Sequence, residues 1–114
     1  MSTVQTIGGA IASEELGRTL SHEHLTTGTP GMERIPGLLD RAEMIDRCLE
    51  ALRRTHEVGI DSLIDLTPFD LGRQVWLFEA VAEQSPLNIV CATGVYRWVP
   101  VVYWGWDEDR IAEH

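Results

Sequence analysis

The chain reads as an α/β fold on a parallel sheet, and three observations predict it. Apolar, strand-like runs occur at residues 19–25, 62–67 and 87–94. Segments with helical spacing, 40–58 and 71–83, fall between them. Parallel strands need long crossovers of this kind, and such crossovers are right-handed in nearly every case.

Residues 3–11, with Gly8 and Gly9 inside, suit a short strand or one arm of a hairpin. Ser13 and Gly17 bracket a single turn as its cap and exit. After the strand at 19–25 comes a Gly- and Pro-rich loop, 26–37, without apolar periodicity. The helix over 40–58 opens on Asp40, with Glu43 at capping-box spacing. Ile45, Cys48, Leu49 and Leu52 form its apolar stripe, and Gly59 stops it. The strand over 62–67 ends at Pro68. The helix over 71–83 is predicted to set Leu71, Val75, Phe78 and Ala82 on one face. An aromatic loop, 95–106, follows the third strand. Residues 107–114 open another helix, with Asp107, Glu108 and Asp109 in its first turn. The pattern reaches His114 with no stop signal, so residues 1–114 are expected to be a single partial domain, the leading portion of a larger α/β protein.

Composition narrows the function. All nine basic residues are arginine, there is no lysine, and 18 acidic residues bring the formal charge to −9. Such a surface excludes nucleic acid and anionic membrane as main partners. The N-terminus lacks the pattern of a signal peptide, and no apolar run approaches the ~20 residues of a membrane helix. Cys48 and Cys91 are expected as free, buried thiols, which fits a reducing, cytoplasmic location.

The chemistry concentrates in Gly17-Arg18-Thr19-Leu20-Ser21-His22-Glu23-His24-Leu25. Side chains alternate along a strand, so His22 and His24 share a face and Glu23 takes the other. At ~3.3 Å per residue, two imidazoles about 7 Å apart can converge on one metal ion. Neutral imidazole suits zinc and its neighbours, but a zinc site normally needs three or four protein ligands. Two histidines are half of one.

This nine-residue stretch resembles the first signature of the phosphotriesterase family of the amidohydrolase superfamily. Asp65-Leu66-Thr67-Pro68 with Leu71-Gly72-Arg73, and Asn88-Ile89-Val90-Cys91-Ala92-Thr93-Gly94-Val95-Tyr96, match in order and spacing. The resemblance implies a (β/α)8 TIM barrel, of which this chain holds about three strand–helix units behind a short β segment. It also implies a binuclear, zinc-type divalent metal centre at the strand ends, acting on phosphotriesters, lactones or related small-molecule esters. By position, His22 and His24 resemble the strand-one ligands of the more buried metal. Tyr96 resembles a tyrosine beside the reacting centre, with substrate contact and packing both open to it. The family's carboxylated lysine, later histidines and aspartate have no counterpart here, and His56 and His114 match none of them. No catalytic set is complete in the chain, which is therefore expected to be inactive by itself. The alternative reading is a non-catalytic truncated remnant, or an interaction module that packs with a partner.

The remaining candidates carry plainer expectations. Glu23 is assigned a hydrogen bond behind the strand that orients the ligands, and Asp65 a loop-anchoring role. Trp98, Tyr103, Trp104 and Trp106 are expected to pack in the interior, with a pocket lining or subunit interface as the alternatives. His56 reads as a solvated residue at a helix end, and Arg73 as the partner of a nearby acid. Open sheet edges and an uncovered inner face favour association, including a homo-oligomer.

Overall fold

The computed structural model describes residues 2–113. An antiparallel hairpin opens the chain, β1 (Thr3–Thr6) against β2 (Gly9–Ala12). The Thr6 hydroxyl closes its turn by donating to the Gly9 carbonyl at 2.7 Å. In the 3-10 turn Ser13–Leu16, Ser13 is the first residue rather than the cap. The Glu15 carboxylate does the capping instead, accepting the Ala12 N–H at 2.7 Å. Gly17 leaves this turn at φ 57°, where a side chain would collide with the Asp61 carboxylate that holds the Arg18 N–H at 2.8 Å.

The main sheet has three parallel strands in chain order: β3 (Thr19–Glu23), β4 (Ser62–Asp65) and β5 (Asn88–Cys91). Each is shorter than its sequence pattern because pairing fades into loops at the C-terminal ends. Single ladder bonds persist there, Leu66 N–H to the Glu23 carbonyl and Ala92 N–H to the Asp65 carbonyl, both at 2.9 Å.

The first crossover carries a short 3-10 turn, Met32–Arg34, and then α1 (Arg41–Glu57). The Asp40 carboxylate caps α1 by accepting the Glu43 N–H at 3.0 Å. Cys48, Leu49 and Leu52 are buried along it, and Ile45 packs at the margin, as the stripe predicts. At its end exposed His56 donates from Nδ1 to the Ile60 carbonyl at 3.1 Å.

The second crossover departs from expectation. Phe69–Leu71 is a 3-10 turn ended by Gly72 at φ 81°, so α2 (Val75–Ala82) starts four residues late. Its buried face is Leu77, Phe78 and Val81, while Val75 is 53% exposed. α2 is apolar nearly all round (VWLFEAVA), so periodicity carries little information about its phase. α3 (Glu108–Glu113) begins after Asp107, whose carboxylate caps it by accepting the Arg110 N–H at 2.9 Å. His114 lies outside the described residues.

Leu49 and Leu52 of α1 meet Leu77, Phe78 and Val81 of α2 over Leu63 and Ile89 of the sheet. Both helices therefore cover one face, as successive right-handed crossovers in chain order require. The outline is a slab of 44 × 42 × 21 Å, with Ile64 and Val90 half-buried on the other face. One expected open edge is partly covered, since the hairpin docks on β5 through Ile7 N–H to the Ile89 carbonyl at 2.9 Å.

Cys48 and Cys91 are free. Burial pushes the Cys91 thiol up to about 12, and the Asp65 charge adds to the effect. The Cys48 thiol is raised by burial too, against the opposing charge of Arg47. Among the described residues no helix is long and apolar enough to cross a membrane.

Candidate functional site

Strict alternation would put Leu20, His22 and His24 on one face of β3. A bulge prevents it. Leu20 stands opposite Leu63, yet Glu23, not His22, stands opposite Asp65, so β3 carries one extra residue between them. Leu20 can then pack against the core while His22 and His24 line a cleft at the C-terminal ends of the strands.

The two imidazole rings sit 5.5 Å apart between centroids, edge to face at 71°. His22 has no hydrogen-bond partner among the described residues. His24 is fixed: its Nδ1 lies 2.9 Å from the Thr67 hydroxyl, which itself donates to the Thr26 carbonyl at 3.2 Å. Thr67 is buried and is held by Asp65, whose carboxylate accepts the Thr67 N–H at 2.7 Å and the Leu25 N–H at 2.6 Å. Asp65 is thus the expected loop anchor. Thr67 escaped the sequence reading, although a threonine two residues after an aspartate at a strand end has the pattern of an Asx turn.

Tyr96 borders the same cleft, which holds about 530 Å³ between apolar walls from Leu66, Pro68, Leu71 and Val95. His22, His24 and Tyr96 are therefore brought together. Tyr96 remains 67% exposed, and its loop is fastened by the Asp70 carboxylate, which accepts the N–H groups of Tyr96 at 2.7 Å and Arg97 at 2.9 Å. Slight burial pushes the Asp70 carboxyl up, but these donors outweigh it and hold the group below its ordinary 3.8.

Three expectations fail here. Glu23 is exposed and makes no side-chain hydrogen bond among the described residues, because the bulge turns it toward a second hollow beside Arg47 and Cys48 of α1. Arg73 pairs with no acid among the described residues; its guanidinium donates to the Ala92 carbonyl and ties the approach to α2 to the end of β5. Of the aromatic loop only Tyr103 is buried, whereas Trp98 and Trp104 are 72% and 69% exposed. Tyr103 anchors a 3-10 turn, Val101–Tyr103, and packs against Trp106 with ring centroids 5.4 Å apart and planes tilted by 52°, leaving its neighbours on the outside.

The donor set suits part of a metal site. Two neighbouring imidazoles fit a borderline cation of the zinc type. No group of three or more ligating side chains occurs among the described residues, so the pair supplies two ligands only.

The chain is similar to known proteins over most of its length. The chain is 28% identical over 107 residues to an aryldialkylphosphatase of Saccharolobus solfataricus, covering 91% of the chain and 34% of that relative. It is 32% identical over 106 residues to a phosphotriesterase homology protein of Mycobacterium tuberculosis, covering 91% and 32%. A phospho-furanose lactonase of Mycoplasmopsis agalactiae is 31% identical over 101 residues, covering 82% and 27%. The chain thus spans about a third of the length of the curated relatives it matches. A sequence model of the phosphotriesterase family matches residues 2–106, and the chain belongs to that family.

Proposed function

We propose that this chain forms the first three strand–helix units of a (β/α)8 barrel. In it, the chain supplies one end of the metal centre of a hydrolase acting on phosphotriester, lactone or related ester bonds. The observation that carries the reading is the convergence of His22, His24 and Tyr96 on one cleft at the C-terminal ends of parallel strands. Barrel enzymes keep their catalytic groups at that end. Chain-ordered strands with both helices on one face are the arrangement a barrel repeats.

A divalent metal, zinc-type and binuclear in the complete site, would supply Lewis-acid polarisation of the substrate oxygen and lower the pKa of water. The chain's own residues have simpler tasks. His22 and His24 present imidazole nitrogens from one strand end, and the bulge aims them. Leu66, Pro68, Leu71 and Val95 offer apolar walls to the organic part of the substrate, and Tyr96 reaches it from the rim. The free thiols suit a cytoplasmic compartment.

Zinc titration by calorimetry tests the reading. With two ligands of the three or four a zinc site needs, the protein should bind zinc only weakly, and His22→Ala and His24→Ala should each weaken that binding at least tenfold. Affinity unchanged from the parent in both variants would place the metal elsewhere. Neither a phosphotriester nor a lactone should be hydrolysed by this chain alone, because two imidazoles do not complete the site.

A further inference from the structure

We propose that Thr67 is a positioning residue that fixes the tautomer of His24, leaving its Nε2 lone pair for a ligand. The argument is a count of protons. The Thr67 hydroxyl has one, and the Thr26 carbonyl at 3.2 Å can only accept, so both of its contacts are hydrogen bonds only when that proton goes to the carbonyl. The contact of 2.9 Å between His24 Nδ1 and the same oxygen must then be donated by the imidazole. Neutral His24 therefore carries its hydrogen on Nδ1 and a lone pair on Nε2. The relay is not left to chance. Thr67 is 1% exposed, and its backbone is pinned by the buried carboxylate of Asp65 at 2.7 Å. Asp65 also accepts the N–H of Leu25, the residue after His24, at 2.6 Å. One side chain thus holds both ends of the hydrogen bond in register. The tautomer follows from this geometry alone, and its use in holding a metal rests on the function proposed above. His22 has no such partner among the described residues, so the two imidazoles are unequal: one preset and one adjustable.

Nitrogen NMR of 15N-histidine-labelled protein without metal, with His24 assigned through His24→Asn, tests the inference. Wild-type protein should show His24 protonated on Nδ1 at a pH where the ring is neutral. Thr67→Ser should keep that signature and Thr67→Val should lose it, with zinc affinity falling about tenfold or more in the valine variant alone. A wild-type His24 protonated on Nε2 overturns the inference whether or not the valine variant folds. So does a folded Thr67→Val protein that keeps the Nδ1 proton. If the Nδ1 signature holds but zinc does not bind, the tautomer stands and the metal reading fails.

Discussion

The buried carboxylate of Asp65 accepts the backbone N–H of Leu25 at 2.6 Å and so ties the end of β3 to the end of β4. Its other oxygen holds the Thr67 N–H at 2.7 Å, so both oxygens face donors and neither faces water. Asparagine cannot replace it quietly. An amide accepts on one side only, and its NH2 would confront the second N–H. Asp65→Asn should cost about 3 kcal/mol, the scale of charge-assisted bonds lost with a buried donor stranded. Urea denaturation measures this, and a loss below about 1 kcal/mol would show that the bridge is dispensable.

Gly72 makes a second tie across the top of the sheet. It lies at φ 81°, and a Cβ there would meet the Gly28 carbonyl oxygen at 2.6 Å, where the Gly28 N–H already bonds the Leu71 carbonyl at 3.0 Å. Gly72→Ala should cost about 2 kcal/mol through backbone strain and release the loop 26–37. Faster tryptic cleavage after Arg34, at unchanged cleavage elsewhere, would show the release. A rigid loop in the alanine variant would refute the tie.

How much of this was legible in the sequence depends on the kind of signal. α1 could be read almost residue by residue, since Asp40, the Cys48–Leu49–Leu52 stripe and Gly59 all agree. α2 could not, because an all-apolar helix has no preferred phase until the sheet and α1 choose one. His22 and His24 were visible as a pair, but the bulge that aims them was not. It answers to tertiary demands, Leu20 wanting the core and His22 the cleft, and alternation within one strand cannot express that conflict. Arg73 was misassigned because a carbonyl at the end of a strand leaves no mark in composition.

The Asp70 anchor of the Tyr96 loop should be acid-sensitive. Backbone donors hold its carboxyl below 3.8 in the folded chain, so the anchor is fully present above that pH. Its contribution fades as pH falls through the lower, folded value. The amide resonance of Tyr96 should therefore titrate with a midpoint below 3.8, and Asp70→Asn should abolish the step. A midpoint above the ordinary carboxylate value would mean that the loop is held by something else.

Association should run through the aromatic loop. Trp98, Val101 and Trp104 are each about 70% exposed on one short segment, and large apolar side chains clustered in this way drive contact between chains. The hairpin already occupies part of the β5 edge, so edge pairing through β5 is the weaker route. Trp98→Ser with Trp104→Ser should shift the chain toward monomer in sizing experiments with light scattering, without changing its unfolding free energy in urea by more than about 0.5 kcal/mol. Were the double variant as associated as the parent, the free edge of β3 would become the contact to block, and a lysine placed on that strand would be the decisive change.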